Sequence, residues 1–506
     1  MQEQVPPPLN RRMITATVML ASVLQTLDNT IANVALPHMQ GSLSATQEQM
    51  TWVLTSYIIA SAITTPLSGW LATRFGRRQL FLASIFGFTL ASVLCGIAQT
   101  LPQMVLFRFI QGVAGAALVP MSQAVLLDIN PPERHGRAMS VWGQGVLIGP
   151  MIGPVLGGWL TDNYSWRWVF YINLPLGILA LLGVLAFMPK AQTRRTDFDF
   201  LGFALLAIGI AALQLMLDRG PIADWFGSTE IWIEMTLAAL ALYLFAVHSA
   251  TSEHPFIRPA LFKDRNFITG NLFIFVVGIV LFATLALLPT MLQTLLNQPV
   301  YQAGLLTAPR SLGTLVAMLL AGRLVGRIDS RVIMGTGLLV TAWSLWMMMG
   351  FNMQMDGRLV FWSGIVQGFG TGMIYVPLAA MAFATLSGDL RNEGTAMFSL
   401  TRNIGSSIGI SIVQWLFTSN TQIMHASLSE HVSPYNLANT NPDLAAQLAS
   451  SSGMAAVNAG LTAQSAMIAY IDNFKFMFIL TVLALPLLLL VRRSAPSKES
   501  AYAAME

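Results

Sequence analysis

Apolar residues in this chain gather into runs of about 20, each long enough to cross a hydrocarbon core of about 30 Å as a helix, with short polar connections between them. A membrane-sized window predicts spans near 14–36, 50–72, 80–99, 103–127, 137–161 and 167–188. Further spans are predicted near 199–218, 230–248, 267–290, 302–322, 332–350, 358–385, 394–418 and 474–491. The fold class is therefore an all-α polytopic membrane protein of about 14 transmembrane helices.

Charge gives these spans a direction. Arg11, Arg12, Arg74, Arg77, Arg78, Arg134, Arg137, Lys190, Arg194, Arg195, Arg323, Arg327, Arg331, Arg391, Arg492 and Arg493 fall in connections on one side, whereas the other side keeps only Arg167, Arg219, Arg358 and Lys475. Cytoplasmic connections hold the excess of lysine and arginine, so both termini are expected in the cytoplasm of an inner membrane and the span count is expected to be even. The polar residues 1–12 with Arg11 and Arg12 precede a span too long for a cleaved leader, which is expected to stay as an anchor. The longest connection, 419–473, is expected outside, and its part from Leu444 to Tyr470 has a helix-compatible composition.

With 506 residues, 55% hydrophobic and 10% charged, the chain is no ordinary soluble protein. The net charge of +4 follows from the connections and implies no nucleic-acid surface. The single cysteine, Cys95, allows neither an internal disulfide nor a metal cluster. No nucleotide loop, metal-ligand cluster or nucleophile constellation is present, so an enzyme is not expected and no cofactor is implied. The 28 methionines offer adaptable packing, a weak functional signal.

Against this background Asp28 stands out, inside the first apolar run. A carboxylate at membrane depth costs roughly 2.5–3.5 kcal/mol on insertion scales, and such residues mark ion or proton pathways. Helical spacing puts Ser22, Gln25, Thr26, Asn29 and Asn33 on one polar face, with Asp28 about 60° outside its edge. Asp28 is then expected to look toward a neighbouring helix. It lies about 12 Å below the external end of its span, and Arg108 about 8 Å below that of the fourth, so the two can meet. Burial raises an acid's pKa and an arginine lowers it, so their separation sets when a proton is taken up. The alternative is a neutral, hydrogen-bonded carboxyl with a structural role.

A repeat is also visible. Gly69-Trp70-Leu71-Ala72-Thr73-Arg74-Phe75-Gly76-Arg77-Arg78 follows the second span and Gly322-Arg323-Leu324-Val325-Gly326-Arg327-Ile328-Asp329-Ser330-Arg331 follows the tenth. Two six-helix halves with two inserted spans account for these positions, with a substrate site where the halves meet near midplane. The expected boundaries are an N-terminal segment 1–13, a first half 14–188, a linker 189–266 with the two extra helices, a second half 267–491 and a tail 492–506.

The first of these turns resembles the loop signature of the major facilitator superfamily. Arg108-Phe109-Ile110-Gln111-Gly112 resembles its fourth-span motif, and Gly149-Pro150-Met151-Ile152-Gly153-Pro154-Val155-Leu156-Gly157-Gly158 is similar to the signature of its drug antiporters. With Trp166 to Pro175 and Ala469 to Phe474, the pattern resembles the fourteen-span drug:proton antiporters over nearly the whole chain. The resemblance implies alternating-access export of small hydrophobic toxic compounds against protons, from within the lipid bilayer. It also implies a periplasmic adaptor and an outer-membrane channel in a tripartite pump, with the external connection 419–473 the expected adaptor contact. A same-fold permease for one physiological solute, such as a siderophore, fatty acid or metabolite, is the alternative; a non-transporting membrane sensor or enzyme is a third class.

The family's aspartate in the loop signature is Thr73 here, which can hydrogen-bond as a helix cap but cannot form an ion pair. Asp329 in the second copy is the expected substitute. The gating set expected from the resemblance and the repeat is Gly69, Thr73, Arg74, Gly76, Arg77 and Asp329, joined by Gly145, Gly149, Gly153, Gly157, Pro150 and Pro154 of the fifth span. Those four glycines share one helix face, and the prolines remove hydrogen bonds within the span, which suits two halves that rock over each other. Static close packing is the alternative. The expected cavity lining is Gln25, Asn29, Asn33, Gln111, Arg310, Met373, Tyr375 and Arg402. Because Arg310 and Arg402 lie in spans of a half without a matching acid, the cavity leans positive and suits neutral or weakly acidic lipophilic substrates over cations. Helix-tying bonds to backbone carbonyls are the competing role for both arginines.

Overall fold

The computed structural model describes residues 10–131, 134–189, 197–432 and 450–491. Lys190, Arg194, Arg195, the N-terminal residues 1–9, the tail 492–506 and the stretch around Leu444 lie outside the described residues.

The first half comprises α1 (Arg11–Ser42), α2 (Gln47–Phe75), α3 (Arg77–Ile97), α4 (Leu101–Gly115), α5 (Leu118–Ile129), α6 (His135–Asn163), α7 (Trp168–Tyr171) and α8 (Asn173–Phe187). The inserted pair is α9 (Phe200–Arg219) and α10 (Thr229–Thr251). The second half comprises α11 (Arg265–Thr294), α12 (Val300–Thr307), α13 (Pro309–Leu324), α14 (Ser330–Met348), α15 (Gly357–Ala384), α16 (Arg391–His431) and α17 (Ser451–Leu483). Helices α4 and α5 are one bent span, as are α7 with α8 and α12 with α13. Among the described residues, 12 helical spans are long and apolar enough to cross a membrane. The helices α1 and α16 are longer still but carry polar stripes. The stretches 419–431 and 451–473, read from sequence as part of a connector, continue α16 and begin α17 as helix.

Polar residues at the ends define these helices. Thr46 and Gln49 form a reciprocal cap on α2, and Asp264 and Asp356 accept from the first turns of α11 and α15, satisfying amide groups that the helix cannot. The chain reverses at Gly76, with φ +87°, and at Gly326, with φ +89°. These are corresponding positions of the repeat, and left-handed backbone explains why glycine recurs there.

Within the halves α1 packs on α6, α2 on α4, α13 and α14 on α15, and α11 on α16. The halves meet through α2 and α5 against α16, and through α6 against α13 and α15. The inserted α9 lies over the seam of α2 and α16, where Ser411 Oγ donates to the Leu217 carbonyl at 2.6 Å.

These meetings are tightest at the face where α1 begins and α17 ends, called the terminal face below. A side chain on Gly69 would press within 3.1 Å of Glu393 Cα at the start of α16, and one on Gly322 would meet Ser140 Cβ at 2.6 Å near the start of α6. Each glycine of the repeat thus admits a helix of the other half. Arg77 Nε donates to Asn392 Oδ1 at 2.9 Å, Arg391 pairs with Asp128 at 2.8 Å, Arg77 pairs with the same Asp128, and Ser140 Oγ donates to the Met318 carbonyl at 2.6 Å.

Candidate functional site

Helix α1 turns Asp28 away from its polar stripe and toward α4 and α8. Arg108 Nη1 donates to Asp28 Oδ2 at 2.7 Å, while Gln111 Nε2 and Asn173 Nδ2 donate to Oδ1 at 2.9 and 2.7 Å. The two charged side chains are 0% and 1% exposed, so water does not screen the pair. Three donors from two helices therefore hold one carboxylate in its ionised geometry.

Around this pair lies a second layer. Arg108 Nε donates to the Val53 carbonyl at 3.2 Å and Nη1 also reaches Gln111 Oε1 at 2.8 Å. Its guanidinium carbon stands 4.5 Å from the Tyr57 ring centroid and 5.7 Å from that of Phe170, a cation-π placement. Asn173 also donates to Ser92 Oγ at 2.9 Å. Gln111 belongs to this cluster, fully buried, rather than to the cavity lining expected for it. Asn173, Ser92 and Tyr57 were not anticipated. Asn173 stands in the Trp166–Pro175 motif, which carried a signal for it; Ser92 and Tyr57 carried none.

The remaining stripe of α1 divides. Gln25 is buried, Asn29 half-buried and Asn33 exposed, a gradient that opens toward the face opposite the termini. Thr26 and Thr30 turn instead to α6: Thr30 Oγ1 donates to the Gly149 carbonyl at 3.1 Å, and a side chain on Gly149 would meet Thr26 Oγ1 at 2.5 Å. Gly145, Gly153 and Gly157 face Met19, Thr30 and Ile31 in the same way. The glycine face of α6, with Pro150 and Pro154 inside an unbroken helix, therefore packs against α1 of its own half. It does not line the junction of the halves; Gly136 and Gly143, nearer the terminal face, approach Val325 and Met318 there.

In the second half Arg310 is 7% exposed and its Nη2 donates to the Leu281 carbonyl of α11 at 3.2 Å, which ties α13 to α11. Arg402 is half-buried and lies beside Tyr375, while Met373 is buried one turn-half away. Thr73 Oγ1 donates to the Gly69 carbonyl of its own helix at 3.0 Å, and Arg74 is half-buried. Asp329 caps α14 through the Arg331 amide at 3.0 Å. The carboxylates at the seam of the halves are Asp128 and Glu393, contributed by α5 and α16.

Residues 18–257 and 270–424 match the model of the Major Facilitator Superfamily. The chain belongs to that superfamily. Among curated relatives it is 37% identical over 427 residues to the multidrug export protein EmrB of Escherichia coli, covering 84% of this chain and 83% of EmrB. It is 34% identical over 484 residues to the fatty acid resistance protein FarB of Neisseria gonorrhoeae, covering 95% and 96%. Of solved structures, the human organic anion transporter MFSD10 aligns with a TM-score of 0.59 at 15% identity, over 94% of this chain and 100% of that one. The proton:xylose symporter XylE aligns with a TM-score of 0.58 at 15% identity, over 92% and 95%. These two likenesses concern the fold. This is an EmrB-like transporter of the multidrug efflux type within the superfamily, multi-pass in the membrane.

Proposed function

We propose that the protein is a proton-coupled antiporter that exports lipophilic, neutral or weakly acidic compounds by alternating access. The observation that carries the reading is the buried Asp28 carboxylate under Arg108, Gln111 and Asn173. An ion pair shut from water is stable only while its geometry holds, and a conformational change that draws Arg108 away leaves a buried carboxylate that takes up a proton. Coupling then consists of the alternation between arginine and proton as partners of one acid. The polar gradient Gln25, Asn29, Asn33 leads from that acid toward the opposite face, and the tight junction at Ser140, Met318, Glu393 and Asp128 closes the terminal face. In this reading the structure corresponds to the state open away from the termini, with both termini in the cytoplasm of an inner membrane.

The expected partners are a periplasmic adaptor and, through it, an outer-membrane channel. The 41 residues of α16 span roughly 60 Å at about 1.5 Å per residue, twice the hydrocarbon core, so its end and the start of α17 project as a hairpin beyond the membrane. His425 Nε2 and Asn458 Oδ1, 3.0 Å apart, join its two arms. Removing 425–460 is expected to leave transport in vesicles unchanged and to abolish resistance in cells with two membranes.

Export of one physiological solute remains the second reading, favoured by the end-to-end match to FarB, a protein named for fatty acid resistance. Accumulation of dyes, detergents and fatty acids in a pump-deficient host, with and without a proton gradient, tests both. Equal exclusion after the gradient collapses contradicts antiport; exclusion of fatty acids alone favours the second reading.

A further inference from the structure

A second polar cluster lies between the halves, away from Asp28. Gln123 on α5 and Trp142 on α6 come from the first half, Tyr375 on α15 and Arg402 on α16 from the second. The rings of Trp142 and Tyr375 stack with centroids 6.1 Å apart and planes 18° from parallel. Beside this stack the Tyr375 hydroxyl neighbours both the Arg402 guanidinium and the Gln123 amide, yet none of these contacts is aligned as a hydrogen bond.

The burial makes this arrangement costly. Trp142 is 0% exposed, Gln123 1% and Tyr375 7%, and the Trp142 Nε1, Gln123 Nε2, Gln123 Oε1, Tyr375 hydroxyl and Arg402 Nε are all buried without a partner. Native interiors rarely leave one such group unpaired, and here five lie on four neighbouring residues. Arg402 has one aligned bond, from Nη2 to Asn403 Oδ1 at 3.4 Å, and among the described residues no carboxylate stands within ion-pair distance of it.

The inventory is strongly one-sided. An indole N–H, an amide NH2, a phenol O–H and a guanidinium N–H are donors, and the Gln123 oxygen is the one group that only accepts. A ligand that satisfies this set brings acceptor oxygens and negative charge, with a flat apolar body to lie along the aromatic stack. We infer that Gln123, Trp142, Tyr375 and Arg402 form a binding site across the two halves for the carboxylate of an aromatic or otherwise lipophilic acid. The inference deepens the efflux reading and rests on it for its physiological meaning. Because the four residues come from both halves, a carboxylate bound among them holds the halves together on the cavity side of the Ser140–Met318 contact.

Calorimetry on the purified full-length protein in lipid nanodiscs, without a proton gradient, tests this with three probes of one shape: naphthoate, its methyl ester and naphthylmethylammonium. The wild type is expected to bind naphthoate at least about tenfold more tightly than the ester, and the ammonium more weakly than both, as charge-assisted bonds dictate. Arg402→Gln should reduce the preference for naphthoate over the ester to under about twofold with ester binding intact, Arg402→Lys should keep part of it, and Tyr375→Phe should weaken naphthoate about fivefold. Ester binding reports whether each variant is folded; if Arg402→Gln fails that check, Gln123→Met serves from the other half with the same expected loss. Naphthoate preference unchanged in a folded Arg402→Gln or Gln123→Met protein overturns the site. Asp28→Asn should bind naphthoate as the wild type does, so a loss of proton-driven export with this binding pattern intact strikes the antiport reading and leaves the site standing.

Discussion

Arg258, in the connection after the inserted helix pair, donates from Nε to Glu393 Oε1 at 2.8 Å and from Nη2 to the Asp389 carbonyl at 2.7 Å. Glu393 sits where α16 crosses Gly69 of α2. On the other flank of the inserted pair, Trp70 Nε1 donates to the Asp197 carbonyl at 3.2 Å and its ring packs 4.6 Å from that of Phe198. The connections of the inserted pair thus strap the terminal-face seam near Thr73, where the loop signature lacks its acid. Glu393→Gln is expected to shift the conformational equilibrium toward opening at the terminal face by about fivefold, since a partly exposed pair contributes up to about 1 kcal/mol. Spin labels on α6 and α13 near Ser140 and Met318 read the shift; unchanged distance populations contradict the strap.

A single carboxylate anchors the inserted pair. Asp199 Oδ1 accepts from the Gly202 amide at 2.8 Å, Oδ2 accepts from the Phe256 amide at 3.0 Å, and His248 Nε2 lies 2.9 Å from both. Burial pushes the Asp199 carboxyl up, but the Gly202, His248 and Phe256 bonds together outweigh it and hold the group below the ordinary aspartate range. A depressed folded-state pKa means that its stabilisation is present in full above the unfolded value and is lost as pH falls through the folded one. Protease nicking between α8 and α9 or after α10 is therefore expected to rise only in strongly acidic buffer for the wild type, and already at neutral pH for Asp199→Ala. Identical nicking profiles contradict this assignment.

The glycine face of α6 separates two substitutions that look alike in sequence. An added Cβ on Gly149 meets the Leu27 amide nitrogen at 2.6 Å, next to Asp28, whereas one on Gly158 meets nothing within 4 Å. Gly149→Ala is expected to cost about 1–3 kcal/mol by overpacking and to reduce transport by displacing the backbone that carries Asp28. Gly158→Ala should be neutral in thermal unfolding and in efflux. Equal behaviour of the two refutes the assignment of this face to α1.

Arg108→Gln removes one member of a fully buried pair. About 3–5 kcal/mol of stability is expected to go with it, because Asp28 is left as an unbalanced charge. Adding Asp28→Asn to the same chain should recover most of the yield and none of the coupling. Size-exclusion yield of the double variant no better than that of the single one contradicts the pairing energetics.

The helices were legible because each must satisfy its own backbone in lipid, which makes apolar run length a direct readout. Depth along two spans was enough to bring Asp28 and Arg108 together, since rise per residue is fixed. Which helix faces which is a property of packing, and there the sequence runs out. The glycines of α6 were visible as a face, but their neighbour, α1 rather than the other half, was not. Gln111 carried the same polar signal whether it lined a cavity or bound an acid. Trp142 and Gln123 read as ordinary span residues until the fold set them beside Tyr375 and Arg402.

Proton-driven uptake into inside-out proteoliposomes measures the central claim most directly. Wild-type protein under an imposed proton gradient is expected to concentrate a neutral lipophilic substrate and to dissipate the gradient as it does so. Asp28→Asn, which keeps an acceptor oxygen for Arg108 and Asn173, should retain substrate exchange at equal concentrations while losing both gradient-driven accumulation and substrate-dependent proton flux. Accumulation and proton flux at wild-type rates in that variant would contradict the account and leave Asp28 a structural residue.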